Sequence, residues 1–225
     1  MKQGKKIAVV LGMTLFVSGI AGCGMFRDFD AKGYVQAVLD QTFQGEVEEA
    51  AKVMKNTSQQ ELKKQYEKQI DTFVENHLIS GVQMDANMEH KYKTVCQGIF
   101  RSMKYQVKSE EKIDKKEYEV HVLIRPCDVF PNFVAAVKED SAKLMDKANK
   151  GEYKGTEDEI NVQMQTEFIA DGYQLLEKAW KNMKYGEEET VILKVTGNKK
   201  NEFSVEEEEI TNLITKIMRL DEIQD

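Results

Sequence analysis

The spacing of apolar residues changes twice along this 225-residue chain, from a period near four to a period of two. Residues 34–103 and 133–183 carry apolar side chains at helical spacing, whereas residues 105–124 and 191–205 alternate apolar and polar side chains. A period near 3.6 indicates amphipathic helices, and strict alternation indicates strands with one buried face. We therefore expect an α+β fold in which helices cover an antiparallel sheet made of two hairpins.

Within this frame the sequence predicts about six helices in a single domain, residues 31–220, followed by a tail, residues 221–225. Three helix starts have capping-box spacing, in which a Ser or Thr precedes a Glu by three positions. These pairs are Ser58 with Glu61, Thr156 with Glu159, and Ser204 with Glu207. The two prolines of the chain, Pro126 and Pro131, are expected to close the first hairpin.

The order of helices followed by a hairpin occurs twice, and short strings match at equivalent places. The matching strings are Phe100–Tyr105 with Trp180–Tyr185, and Lys115–Val120 with Lys200–Val205. An internal duplication with halves 31–126 and 132–220 would explain both matches. Convergence of amphipathic helices and Lys-rich turns would explain them as well, and the sequence leaves both explanations open.

The chain begins with a basic and then apolar segment that is typical of an export signal. Lys2, Lys5 and Lys6 precede an apolar run of about 14 residues, Ile7 to Ile20, and no acid interrupts them. This run is shorter than the ~20 residues that a membrane-spanning helix needs. Residues 1–22 are therefore predicted to be a signal peptide.

Ile20-Ala21-Gly22-Cys23 resembles the lipobox of bacterial lipoproteins. The resemblance implies that a signal peptidase recognises Ile20, Ala21 and Gly22, cleaves before Cys23, and leaves Cys23 linked to diacylglycerol, with palmitate or a similar acyl chain on its amine. The mature protein would then be tethered by residues 23–30 to the extracytoplasmic face of the cell membrane, since two acyl chains suffice for stable anchoring. An ordinary secretory signal with an incidental Cys, or an uncleaved anchor helix, are the alternatives.

Removal of residues 1–22, which carry three lysines and no acids, takes the formal net charge from −7 to about −10. Nucleic-acid binding depends on clustered Lys and Arg, so a chain of this charge is not expected to bind DNA or RNA. Cys96 and Cys127 are the other two cysteines. Because one lies in a helical pattern and the other at a strand end, we expect two buried or partly buried free thiols rather than a disulfide.

The sequence contains no recognisable catalytic or metal-binding motif. His77, His90 and His121 lack the spacing of metal ligands, so neither a metal nor another cofactor is expected. The acidic run Glu206–Glu209 fits a helix start, where the helix dipole stabilises acids, better than it fits a calcium loop. Trp180 lies among apolar residues at helical spacing and is expected in the core.

These observations predict a non-enzymatic, membrane-anchored lipoprotein that binds a protein, a peptide or a small molecule. The body resembles, in general pattern only, small uncharacterised lipoproteins of Gram-positive bacteria, and related sheet-plus-helix folds are cystatin-like or nuclear-transport-factor-like. Two alternatives stay open. One is a solute-binding lipoprotein of a transporter, and the other is a hydrolase whose site assembles from scattered residues, with His121, Cys127 and Asp128 as candidates.

Overall fold

Four helices precede the first hairpin and two precede the second in the computed structural model, which describes residues 20–21, 29–54, 57–78, 84–200 and 202–223. The described helices are α1 (Ala31–Gln44), α2 (Glu48–Val53), α3 (Gln59–His77), α4 (Ala86–Arg101), α5 (Val129–Asn149), α6 (Glu157–Lys181) and α7 (Glu207–Ile217). The described strands are β1 (Ile20–Ala21), β2 (Lys104–Lys112), β3 (Glu117–Arg125), β4 (Glu189–Gly197) and β5 (Glu202–Val205), and a 3-10 helix spans Leu220–Glu222. The predicted α+β class is confirmed, with one helix more than the expected six. None of the described helices has the length and apolar content that crossing a membrane requires.

The strands form one antiparallel sheet in the order β1-β5-β4-β3-β2. β3 and β4 are its central pair, and their register runs from Glu117 opposite Thr196 to Ile124 opposite Glu189. The two predicted hairpins, β2-β3 and β4-β5, are therefore joined side by side in one sheet. Helices followed by a hairpin do occur twice along the chain, but whether the halves arose by duplication stays a prediction.

One face of the sheet packs against the helices and forms the core with them. The buried side chains of the central strands alternate along the chain, as the period of two predicted, and they are Tyr118, Val120, Val122, Ile124, Val191, Leu193 and Val195. α1 lies against β2 and β3, and α7 lies against β4. A continuous cluster of buried apolar residues includes side chains from all seven described helices and from this side of the sheet.

Two of the three predicted capping boxes are present. The Ser58 hydroxyl accepts the amide N–H of Glu61 at 3.2 Å, while the Glu61 carboxylate accepts the amide N–H of Ser58 at 2.7 Å. Thr156 and Glu159 make the same reciprocal pair, at 3.4 and 2.8 Å. Each box satisfies backbone donors that the first turn of a helix leaves unpaired, and so α3 and α6 begin where the sequence predicts.

Two local predictions are wrong. The capping box of Ser204 with Glu207 does not form, because Ser204 still belongs to β5, where it pairs with Thr196 of β4. The N-cap of α7 is Glu206 instead. Pro131 does not close the first hairpin, whose second strand ends at Arg125, but lies in the first turn of α5. A proline is tolerated there because the missing N–H has no helical acceptor in the first turn.

α5 and α6 form a long antiparallel helical hairpin whose far half extends away from the core. Between Val134 and Phe168 the only buried side chain of the described residues is Leu144. Met145 and Val162 are 56% and 61% exposed. This helical hairpin begins and ends at the end of the sheet that is opposite the two β-hairpin turns. The reason is that α5 follows the last residue of β3 and α6 precedes the first residue of β4.

Candidate functional site

A groove runs between β4 and α7 on the side of β4 where β5 has ended. β5 pairs with β4 only from Val195 to Gly197, so on the side away from β3 the part of β4 from Glu189 to Lys194 has no strand beside it among the described residues. α7 occupies that side instead, at a distance that leaves a cavity of about 610 Å³. The lining residues are Thr190, Val191, Ile192, Glu209, Asn212, Thr215, Lys216 and Asp221.

The backbone of β4 points hydrogen-bonding groups into this groove. The N–H and C=O groups of a strand point to alternate sides at successive residues. The amide N–H of Lys194 donates to the Glu209 carboxylate on α7, and so it points away from β3. Ile192 and Thr190 lie two and four residues before Lys194 in the same strand, so their backbone groups point to the same side as those of Lys194. Their N–H and C=O groups therefore face the groove, where the described residues offer them no paired strand.

α7 is positioned by its two faces. Its buried side chains, Ile210, Leu213, Ile214 and Ile217, pack into the core, which leaves Asn212, Thr215 and Lys216 toward the groove. The acidic run predicted as a helix start does begin α7, with Glu207, Glu208 and Glu209 in the first turn. The acids are favoured there by the positive end of the helix dipole.

Glu209 closes one end of the groove. Its carboxylate is half-buried beside β4 and accepts the amide N–H of Lys194. Burial raises the pKa of the Glu209 carboxyl above its ordinary value, and the charges of Glu206 and Glu119 add to the increase, whereas the bond from Lys194 opposes it. At this end of the groove the Glu209 carboxyl therefore binds a proton more tightly than an exposed glutamate does.

A second cavity, of about 320 Å³, continues the groove at its other end and shares Lys216 and Asp221 with it. Arg219 lines this cavity and adopts a left-handed backbone conformation, with φ of 52°, which is uncommon for a residue other than glycine. Its guanidinium binds Glu222 through two N–H groups, one of them Nε at 2.7 Å from Oε1. Glu189 also lines the cavity, so the groove and its continuation carry more carboxylates than cations.

The three residues of the hydrolase alternative have separate surroundings. His121 lies on the face of β3 away from the core, opposite Ser109 and Ile192 on the neighbouring strands. Cys127 is buried, and its thiol donates to the sulfur of Met103 at 3.8 Å. Burial raises the pKa of the Cys127 thiol to about 11, which disfavours the nucleophilic thiolate.

Asp128 is held by the backbone of the segment that leads into β4. Its carboxylate accepts the amide N–H of Lys184 at 2.7 Å, and its own N–H donates to the Lys184 carbonyl at 3.1 Å. Neither His121 nor Cys127 is a hydrogen-bond partner of the Asp128 carboxylate. The contacts of these residues thus do not assemble a nucleophile, a base and an orienting acid.

The remaining candidate groups are Cys96, His77 and His90. Cys96 and Cys127 are both free and buried, as the sequence predicts. His77 ends α3 with its ring 4.9 Å from that of Phe73, and burial lowers its pKa, while His90 is exposed on α4. No group of three or more His, Cys, Asp and Glu side chains suited to a metal ion occurs within the described part of the chain.

A further cavity, of about 470 Å³, lies between α1 and α2. Asp40, which lines this cavity, already has hydrogen-bond partners within the protein. One oxygen of its carboxylate accepts both the Tyr105 hydroxyl at 2.6 Å and the Gln36 side-chain amide at 2.8 Å. Burial and the neighbouring Asp40 raise the pKa of Tyr105. This arrangement fixes α1 to the start of β2 and leaves the β4-α7 groove as the site with uncommitted backbone groups.

The residues of the lipobox are described only in part. Gly22 and Cys23 lie outside the described residues, as does the tether from 24 to 28. Ile20 and Ala21 are described by their backbone pairing, with Phe203 and Glu202 of β5. The prediction for Cys23 therefore stays a prediction.

Sequence reasoning did not identify the groove, although a signal for it was present. The apolar alternation of the fourth strand spans Val191 to Val195, whereas that of the fifth covers only Phe203 and Val205. Two strands of unequal length in a hairpin leave part of the longer one unpaired. The unequal lengths predict an open strand edge, and only the structure places α7 beside it.

No protein-family model and no curated protein matches this chain. Among solved structures it is similar to the crystal structure of a "putative lipoprotein (ycdA)" from Bacillus subtilis subsp. subtilis str. 168, with a TM-score of 0.52 at 15% sequence identity. The match covers 84% of this chain and 56% of the Bacillus chain, so this chain spans little more than half the length of that protein. At this identity the similarity shows that the fold is shared.

Proposed function

We propose that this protein is an extracytoplasmic lipoprotein, anchored to the cell membrane through Cys23, that binds an extended peptide segment in the groove between β4 and α7. The observation that carries the peptide site is the unpaired edge of β4 at Thr190 and Ile192. The anchoring rests on the lipobox-like Ile20-Ala21-Gly22-Cys23 behind a basic and apolar start. The fold shared with the Bacillus subtilis protein, which bears the name of a lipoprotein, supports it.

A peptide laid along β4 would continue the ladder that β5 leaves at Val195. Main-chain bonds to the open edge give affinity in this mode of recognition, and pockets for alternate side chains give selectivity. α7 would form the second wall, with Asn212, Thr215 and Lys216 toward the peptide. Because carboxylates outnumber cations in the groove and its continuation, we expect a neutral or basic peptide.

The proposal treats the domain as a binding module and not as an enzyme. The separate surroundings of His121, Cys127 and Asp128 support this assignment, as does the raised pKa of the buried Cys127 thiol. A transporter's solute-binding protein usually has two lobes that close around the ligand at a hinge. The described helices and strands share one core instead, which favours a groove on a single domain.

Anchoring is tested by metabolic labelling with an alkyne analogue of palmitate in a Gram-positive host, followed by membrane fractionation. The natural chain is expected to carry the label and to sediment with membranes. Cys23→Ala is expected to lose the label, because no other cysteine stands at the predicted cleavage site. Its uncleaved apolar run, Ile7 to Ile20, is expected to keep it with the membranes, and for this reason the label is the readout. Cys96→Ala, which alters a buried thiol far along the chain, is the matched control and should keep both properties. Label that persists in Cys23→Ala would overturn the anchor.

The groove is tested with a phage-displayed library of random linear peptides, panned against the full chain carrying Cys23→Ala. Selected peptides should slow hydrogen exchange at the amides of Thr190 and Ile192. Ile192→Pro removes a groove-facing N–H without removing a bond to β3, and it should weaken binding by roughly tenfold. Ile192→Val keeps that N–H and should bind like the natural chain.

Circular dichroism and thermal unfolding show whether Ile192→Pro keeps the fold, so that a loss of binding is not a loss of structure. Peptides that bind Ile192→Pro and Ile192→Val equally well would place the site elsewhere. A library from which no peptide is enriched would also contradict a peptide-binding groove.

A further inference from the structure

The turns of the two β-hairpins lie together at one end of the sheet. The Lys116 ammonium donates to the carbonyl of Asn198 at 2.6 Å, and the amide of Gly197 donates to the carbonyl of Lys116 at 2.7 Å. These bonds link the β2-β3 turn to the β4-β5 turn. We call the combined surface, residues 112–117, 198–200 and 202, the hairpin tip.

The hairpin tip is rich in lysine, although the chain as a whole is acidic. It contains five lysines against three acids, in a chain with a formal net charge of −7. Lys115, Lys199 and Lys200 are exposed. Two of the three acids are engaged locally: the Asp114 carboxylate accepts the amide of Lys116 at 2.6 Å, and the Glu202 carboxylate accepts the side-chain amide of Asn198 at 2.6 Å.

An apolar side chain projects among these lysines. Ile113 is 48% exposed, whereas the apolar side chains of β3 that face the core, Val120, Val122 and Ile124, are fully buried. A large aliphatic group flanked by cations is the combination found on surfaces that rest on a bilayer, where the apolar group enters the interface and the cations meet phosphate.

The start of the folded domain lies at the same end of the sheet. The ring of Phe29 stacks on Phe203 with centroids 4.0 Å apart, and it meets the edge of Tyr118 at 5.7 Å. Both partners lie next to the hairpin turns. The amino-terminal segment therefore reaches the domain at the hairpin tip.

Only five residues lie between Cys23 and Phe29, which are therefore six Cα-to-Cα steps apart. Even a fully extended chain of this length spans roughly 20 Å. Once Cys23 is fixed in the bilayer, the domain is held with this end nearest the membrane. The rest of the acidic domain is repelled by anionic lipid, whereas the lysines of the tip are attracted within about one Debye length of 8 Å.

We propose that the hairpin tip docks on the anionic phospholipid headgroups of the membrane that holds the protein, with Lys115, Lys199 and Lys200 at phosphate and Ile113 at the interface. This docking rests on the proposed anchoring through Cys23. It orients β4 so that the peptide groove, which begins at Lys194 and extends away from the turns, faces outward from the membrane.

The test uses the full chain with Cys23→Ala, so that its result does not depend on whether Cys23 is acylated. An environment-sensitive dye is attached at Ile113→Cys, or in a control protein at Met145→Cys on the α5-α6 hairpin. Each protein is mixed with phosphatidylcholine vesicles, with or without about 30 mol% phosphatidylglycerol. The basic and apolar residues 1–22 are expected to bind vesicles as well, and for this reason the dye, and not total binding, is the readout.

The dye at position 113 should shift to the blue with anionic vesicles only, and about 0.5 M salt should abolish the shift. Changing Lys115, Lys199 and Lys200 to Gln should weaken the vesicle dependence of the shift by roughly tenfold or more. Changing Lys143, Lys150 and Lys178 to Gln removes the same charge from the α5-α6 hairpin and should leave the shift unchanged. Tryptophan emission verifies that each variant is folded.

A shift at position 113 that is equal with neutral vesicles, or that survives the change of the three tip lysines, would overturn the docking proposal. So would a larger shift at position 145. These outcomes are distinct from failure of the anchor, which is read from palmitate labelling of the natural chain and leaves the dye experiment intact.

Discussion

The indole ring of Trp180 lies directly against the backbone of Gly98, so closely that a Cβ atom at position 98 would overlap its six-membered ring. The indole N–H donates to the hydroxyl of Ser102 at 3.1 Å, one turn further along α4. This contact joins α4 to α6 and holds the single tryptophan of the chain against the core. The interpretation of Trp180 as a packing residue agrees with this position.

Gly98→Ala should therefore lower the free energy of unfolding. Alanine is intrinsically better than glycine in a helix by ~1 kcal/mol, but overpacking against a ring that is held in place costs ~1–3 kcal/mol. We expect a net loss of up to about 2 kcal/mol, measured by urea unfolding. Because Trp180 is the only tryptophan, its emission should also shift in the folded state.

A double-mutant cycle isolates this contact. In a Trp180→Leu background the ring is absent, and Gly98→Ala should become neutral or stabilising. Thr94→Ala, at an exposed position of the same helix, should leave the emission unchanged. A destabilisation by Gly98→Ala that is the same with Trp180 and with Leu at position 180 would show that the ring is not its cause.

Glu61 should make the stability of the protein depend on pH. Its bonds from the amide and hydroxyl of Ser58 lower the pKa of its carboxyl. Because the folded pKa lies below the unfolded one, the stabilisation is complete above the ordinary Glu pKa and is lost as the pH falls through the lowered value. Glu61→Gln should remove this part of the pH dependence.

The measurement is urea unfolding between about pH 3 and pH 7. The difference between the natural chain and Glu61→Gln should shrink toward acid pH. Glu67→Gln, exposed on the same helix and outside the capping box, should show a smaller change with pH. A difference for Glu61→Gln that is constant over the range would contradict the role of the ionised carboxylate in the cap.

The two buried thiols should be inert in the folded protein. Burial raises the pKa of both Cys96 and Cys127, the latter to about 11, and so little thiolate is present at pH 8. In the Cys23→Ala chain, Ellman's reagent should find almost no thiol in the native state and two thiols in about 6 M guanidinium chloride. Met145→Cys supplies an exposed thiol that should react at once.

A count of zero in denaturant would mean that Cys96 and Cys127 are disulfide-bonded in the isolated protein. Rapid reaction of either thiol without denaturant would mean that its surroundings open readily. Either result would contradict the packing described for the two side chains.

The sequence predicted those parts of the fold that depend on neighbours along the chain. The boxes at Ser58 and Thr156 are local, because each needs only a Glu three residues later. The same spacing at Ser204 failed because pairing with Thr196 keeps that residue in β5, and strand pairing is a contact over distance. A local pattern cannot show which of two competing structures wins at such a junction.

The candidate site was hidden for the same reason. The groove exists because β5 ends at Val205 while β4 continues from Lys194 back to Glu189, and because α7 turns into the space beside it. The spacing of Thr190 and Ile192 shows only that they belong to a strand. Which strand edge is left open is decided by the pairing of all the strands.

Glu209 provides the pH test of the groove, with a sign opposite to that of Glu61. Burial raises the pKa of its carboxyl, and so the folded protein binds this proton more tightly than the unfolded chain does. The favourable contribution is complete below the ordinary Glu pKa and is lost as the pH rises through the raised value. Glu209→Gln keeps an oxygen that accepts the Lys194 amide and removes the charge. Its stability relative to the natural chain should therefore increase from about pH 4 to pH 7, measured by urea unfolding. Glu208→Gln, exposed on the same turn, is the control and should not show this increase. A relative stability of Glu209→Gln that falls with pH would mean that the ionised carboxylate stabilises the closed end of the groove.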